Sequence, residues 1–304
     1  MKRSIVIALS LQLASFAATA AEPELTGVLK RIKDGGVISV GYADAPPPFS
    51  YFDKTRNIIG YSLDVCRKVI DAVKAEVKKP DLKVDMKPVK ADDAVSYVAS
   101  GVIDVHCGPV LNNWARKGRV EFGPTYFVRQ YRFASHESAH MSEIPDMENH
   151  TFVVPSGSPA VAALQSLGMA RGWKVNIVPA MNDEDAFRIF REGGAEAIVL
   201  DEISLAEGVA RTRELDPALV MLSAAAWGAE PFSLVYVKGD APFKKLVAGT
   251  MNQLFTSGSI RPVYDKWFVN TIPGRGISMN LPLSEPLEKV FKKPTDSPDL
   301  ALYQ

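Results

Sequence analysis

The sequence predicts an α/β protein of two lobes, each built round a largely parallel sheet. Two observations carry this expectation. Apolar strand-like runs alternate with helical segments, and the alternation occurs twice, over residues 37–105 and again over 152–200. Two further strand-like stretches, near 131–135 and 232–237, follow polar or small residues and suit a paired crossing between the lobes. The chain then returns to the first lobe, which comprises 25–134 and 232–293; the second lobe takes 135–231, and 294–304 form a tail expected to be poorly ordered. A length of 304 residues is enough for two such cores.

Each element has a local reason. Leu25, Val28, Leu29 and Ile32 share one face of an opening amphipathic segment, which Gly35-Gly36 breaks. Residues 37–41 read as a buried strand, and Pro46-Pro47-Pro48 forces an extended loop before Phe49-Ser50-Tyr51-Phe52. A helix over 62–78 carries Asp64 in its first turn and lysines in its last, as the helix dipole favours. A strand at 84–88, a helix at 92–100 stopped by Gly101, and a buried strand at 102–105 complete the first block. The second block runs strand 152–154, the loop Pro155-Ser156-Gly157-Ser158-Pro159, a helix to 171, strand 174–178, helix 184–192, and strand 197–200 ending on Asp201. Helices at 244–257 and 263–268 follow.

Met1 to Ala20 has the form of a secretory signal peptide: Lys2 and Arg3 lead an apolar core, and Ala18-Thr19-Ala20 offers a small-x-small cleavage pattern near Ala20 or Ala21. The alternative, a retained anchor, needs about 20 apolar residues, and this core is shorter. The expected product is an exported, soluble, periplasmic monomer. With 35 basic and 35 acidic residues in the whole chain, no nucleic-acid footprint is present. Cys66 and Cys107 allow one intramolecular disulfide in an oxidising compartment, and buried free thiols are the preferred expectation.

Ligands of open α/β sheets bind beyond the carboxyl ends of the strands. One such end leads through Gly108, Pro109 and Leu111 to Arg116; another carries Asp201. A planar guanidinium suits a carboxylate, and a carboxylate suits an ammonium, so together they describe an α-amino acid. The alternative for each is a solvated charge or a structural ion pair. Ser156-Gly157-Ser158 before a helix offers hydroxyls and N–H groups, or an ordinary N-cap. The sequence contains no Gly-x-Ser-x-Gly elbow and no His-Glu-x-x-His pair, and its histidines fit no common zinc spacing, so no catalytic group, metal or cofactor is assigned.

The ordered set Pro48-Phe49-Ser50-Tyr51, Gly60-Tyr61-Ser62-Leu63-Asp64, Cys107-Gly108 with Asn112-Asn113 and Arg116, Ser156-Gly157-Ser158, Leu200-Asp201 and Tyr264-Asp265-Lys266-Trp267-Phe268 resembles the solute-binding proteins of polar amino-acid ABC importers, family 3, above all the glutamate/aspartate branch. The resemblance implies a two-lobed type II periplasmic binding fold with two hinge strands, closing on an amino acid delivered to an ABC permease. It also implies that Arg116 holds the ligand carboxylate and Asp201 its ammonium, with Phe49, Gly108, Pro109, Leu111, Ser158 and Asp183 around them. The departures bear on specificity. Ala43 and Ala94 stand where that branch directs arginines at an acidic side chain, Ala91, Pro109 and Leu111 replace hydroxyl residues, and Asp183 replaces a pocket histidine. The expected ligand is therefore a neutral or partly apolar amino acid or analogue rather than glutamate or aspartate. Arg129 and Arg132 are three apart on one strand and point to opposite faces, so one of them at most reaches the cleft. The rival readings are an exported dehydratase-like enzyme, with Asp183 and Glu202 as its candidate acids, and a sensor or accessory protein on the same scaffold.

Overall fold

In a computed structural model of the chain, the described residues are 24–45, 47–215, 221–223 and 226–303. The leader expected over 1–20 lies outside them. No helix among them is long and apolar enough to cross a membrane. The first block consists of α1 (Gly27–Gly35), β1 (Val37–Tyr42), β2 (Tyr51–Phe52), β3 (Ile58–Ile59), α2 (Tyr61–Glu76), β4 (Lys83–Pro88), α3 (Ala94–Ala99), β5 (Val105–Leu111), α4 (Trp114–Lys117) and β6 (Glu121–Phe122). β7 (Phe127–Ser135) leads to the second block, which holds β8 (Thr151–Pro155), α5 (Pro159–Arg171), β9 (Asn176–Ala180), α6 (Asp183–Arg191), β10 (Ala197–Asp201), α7 (Glu202–Leu215) and β11 (Met221–Leu222). β12 (Trp227–Tyr236) returns the chain, and α8 (Ala241–Thr256), α9 (Ile260–Phe268) and α10 (Glu285–Lys292) pack on the first half.

One sheet runs through both halves in the order β4-β1-β5-β12-β7-β10-β8-β9. β1 pairs in parallel with β4 and β5, and β8 in parallel with β9 and β10. The halves join where β7 and β12 pair antiparallel, Phe127 opposite Phe232 and Tyr131 opposite Trp227. Below that crossing lies an aromatic core. Phe127 stacks on Phe268 at 5.1 Å, Phe49 meets Phe127 edge-on at 5.0 Å, and buried Tyr61 donates its hydroxyl to Tyr126 O. Each fully buried ring contributes about 1.5–3 kcal/mol through its apolar area, so the crossing is anchored mainly by packing. Gly60 at the start of α2 is required by both tests a glycine can meet: its φ is +149°, and a Cβ there would sit 2.0 Å from Phe49 O.

Three expectations are corrected. The strand foreseen at 102–105 begins only at Val105 and runs to Leu111. Val102 stands exposed beyond the left-handed turn at Gly101, and Asp104 spends its carboxylate on Ser39 N–H and Arg31 before pairing with β1 begins. Cys66 and Cys107 are not free thiols but a disulfide, with Cα atoms 5.7 Å apart, tying α2 to β5. The tail is not loose either. Asn112 and Lys117 donate to Asp296 O, Thr125 N–H donates to Thr295 O, and Tyr303 is wholly buried with its hydroxyl on Thr125 and Ser297.

Candidate functional site

The two strand ends singled out in the sequence, those of β5 and β10, carry different chemistry. In the middle of β5, Gly108 is bound on both sides: its N–H donates to His106 Nδ1 at 3.1 Å, and its carbonyl accepts the Tyr126 hydroxyl at 3.0 Å. Pro109 and Leu111 are half-buried, and Pro109 is tolerated inside the strand because the β5–β12 ladder shifts register beside it. Asn113 then caps α4, its side-chain oxygen accepting Arg116 N–H at 2.9 Å. The Arg116 guanidinium donates to Leu111 O at 3.2 Å and lies 3.4 Å from the exposed carboxylate of Asp92. Trp114, on the same short helix, is 70% exposed.

At the end of β10, Asp201 accepts the N–H groups of Ile203 and Ser204 at 3.1 and 3.2 Å, so one carboxylate oxygen starts α7. Asp183, the first residue of α6, is exposed as a residue, and partial desolvation pushes its carboxyl up, with Asp201 and Glu207 adding to the rise and the Ser204 hydroxyl opposing it. Asp183 and Asp201 thus converge on Ser204. Ser158 caps α5 by position only; its hydroxyl oxygen is buried and, among the described residues, has no hydrogen-bond partner.

The structure gathers Gly108, Pro109, Leu111 and Arg116 on one side and Asp183 with Asp201 on the other. The partners of Arg116 lie in the first half and those of Asp201 on α7. Phe49 stands apart from both groups, 7% exposed with its ring in the aromatic core. Ala43 and Ala94 are buried.

Sequence reasoning passed over a cluster on the hinge. Asp201 lies opposite Tyr131 in the β7–β10 ladder, and Arg129 is two residues from Tyr131, so these three side chains share one face. Arg129 is held there by Nε and Nη2, which both donate to one oxygen of Glu230, opposite it on β12, and Tyr131 donates its hydroxyl to the other oxygen of Glu230 at 3.1 Å. Burial opposes the charge of Arg129, but Glu230 more than restores it. Arg132 lies on the opposite face with Glu202, 3.6 Å away. Burial pushes the Glu202 carboxyl up to about 7, with Arg132 pulling it down and Asp201 raising it. The signal for this split was in the odd spacing of the two arginines; their acidic partners come from strands and helices distant in sequence.

Residues 38–270 match the bacterial extracellular solute-binding proteins, family 3. The chain is 33% identical over 274 residues to an L-glutamate/L-aspartate-binding protein of Pseudomonas aeruginosa, covering 90% of each. It is 31% identical over 291 residues to a glutamate/aspartate import solute-binding protein of Escherichia coli K12, covering 96% of each. Among solved structures it resembles an ancestral cationic amino acid solute-binding protein, with a TM-score of 0.61 at 20% identity over 79% of this chain and 99% of that one. A polar amino acid ABC uptake transporter substrate-binding protein from Streptococcus thermophilus gives 0.60 at 17% identity, over 80% and 90%. At those identities the likeness is one of fold, the two-lobed type II periplasmic binding fold.

Proposed function

The chain belongs to the bacterial extracellular solute-binding proteins, family 3, and on that premise we propose that it is the periplasmic component of an amino-acid ABC importer. It closes on one α-amino acid and presents it to a permease in the inner membrane. The observation that carries this reading is the opposition of chemistry at the two strand ends: a guanidinium, Arg116, beyond β5 and a carboxylate, Asp201, at the end of β10. Arg116 takes the ligand carboxylate and Asp201 its ammonium, while Pro109 and Leu111 contact the side chain. Closure between lobes needs no chemical step. A dehydratase-like enzyme is the weaker alternative, because Glu202, one of its two candidate acids, is 2% exposed and faces Arg132 rather than the face of Asp201.

The relatives named for glutamate and aspartate raise the question of the side chain. We infer that a neutral or partly apolar amino acid is preferred here. Ala43 and Ala94 offer no counter-charge, Arg129 is already neutralised by Glu230, and Asp183 adds negative charge beside Asp201. The same acidic pair, Asp183 with Asp201, supports a second reading, a basic side chain, on charge alone. Thermal denaturation in the presence of each of the twenty L-amino acids tests the proposal. A binder at a hundredfold excess over its Kd adds about 2.7 kcal/mol of stability. Stabilisation by a neutral amino acid is the expected result; a melting temperature unmoved by all twenty would remove the proposal.

A further inference from the structure

His106, the second residue of β5, is wholly buried, one residue before the disulfide cysteine and two before Gly108. Both ring nitrogens are engaged. Nδ1 accepts the Gly108 N–H at 3.1 Å, and Nε2 lies 3.0 Å from Val89 O. A backbone N–H only donates and a carbonyl only accepts, so the ring carries its proton on Nε2 and is neutral. Burial pushes its pKa down to about 4, consistent with that state. The slot for the ring is made by two glycines. A Cβ on Gly41, which pairs with His106 across β1 and β5, would come within 2.9 Å of the imidazole, and one on Gly108 within 2.6 Å of it. That second Cβ would also lie 3.1 Å from the Cβ of Ala43.

The two partners of the imidazole begin the two segments that form the first lobe's side of the site. Val89 leads into Ala91, Asp92 and Ala94, and Asp92 is the carboxylate beside Arg116. Gly108 leads into Pro109, Leu111 and the turn that carries Arg116. We propose that His106 is a positioning residue for ligand binding: its neutral ring sets the spacing between the 89–94 segment and the 108–116 segment, so that Arg116 and Leu111 are held in one arrangement before a ligand arrives. The proposal rests on the reading that these segments bind the amino acid. It also means that the Gly108 N–H is spent on the imidazole and is not offered to the ligand.

Three variants separate the two bonds. His106→Phe keeps a ring and removes both; His106→Asn retains an acceptor near the place of Nδ1; His106→Gln retains a donor near the place of Nε2. Amide exchange of residues 105–112, measured without ligand, should quicken on the order of tenfold in His106→Phe and by less in the other two. Titration with whichever of the twenty L-amino acids stabilise the wild type should show affinity reduced about tenfold in His106→Phe, with the Asn and Gln variants between it and the wild type. If the Phe variant does not fold, the Asn and Gln variants decide by the same two measurements. Wild-type exchange in the variants overturns the proposal, and so does faster exchange with unchanged affinity, which would leave His106 a purely structural group. Should no amino acid stabilise the wild type, the binding reading itself fails, while the exchange arm still reports on the spacing role.

Discussion

The two sides of the site are built on opposite principles. On the β5 side the polar groups are pinned: a disulfide fixes Cys107 to α2, an imidazole and a tyrosine hydroxyl saturate Gly108, and an asparagine cap orients the turn bearing Arg116. On the β10 side like charges are held close together, with Asp183 and Asp201 around one serine and Glu202 buried behind them. On the proposed assignment, a cation on one side and carboxylates on the other would select for a zwitterion, with the ligand's ammonium offsetting the carboxylates.

Removing either pole should have the largest effect. Arg116→Ala and Asp201→Ala are each expected to weaken amino-acid binding at least tenfold, since truncating one member of a buried charge pair costs about 2–5 kcal/mol. Calorimetry with the variants still folded checks this. Next comes the pin itself: replacing both Cys66 and Cys107 by Ser should lower stability by about 2–4 kcal/mol, read as a denaturation midpoint, with a further loss of affinity if the β5 side depends on the crosslink.

Smaller effects probe the acidic side. Asp183→Asn removes one like charge and should strengthen the binding of glutamate roughly a few-fold, seen in a competition titration. The remaining effect is a pH dependence, in which two opposed contributions largely cancel. The Glu202 carboxyl is pushed from 4.5 up to about 7, so the stability it contributes is complete below 4.5 and is lost as pH rises through 7. His106 is pushed from 6.5 down to about 4, so its contribution is present above 6.5 and is lost as pH falls toward 4. Between 4.5 and 6.5 the two slopes oppose each other. Glu202→Gln should therefore show a melting temperature that climbs more steeply over that interval than the wild type's, and that falls less above it.

Much of this was readable in the chain. The twice-repeated alternation marks β1 to β5 and β8 to β10 because buried parallel strands and amphipathic helices leave distinct periods. The placement of Arg116 beyond one strand end and of Asp201 at another was legible from the apolar runs that precede them. Other features left no local mark. The β5 strand was placed too early because Val102-Ile103 looks like its beginning, while Gly108 and Pro109 look like its end; only the register shift against β12 lets the strand pass through them. The disulfide joins residues 41 apart, and the tail is ordered by Thr125, Asn112 and Lys117, which no sequence window contains. The Arg129–Glu230 pair spans 101 positions and forms only because β7 and β12 cross.

The most direct test is a calorimetric titration of the wild-type protein with glutamate beside the neutral amino acid that stabilises it most. On the proposed assignment, burying a second carboxylate beside Asp183 and Asp201, with Arg129 already paired, would cost several kcal/mol. The neutral amino acid should therefore bind at least tenfold more tightly. Glutamate binding as tightly as, or more tightly than, every neutral amino acid would contradict the assignment of the acidic side.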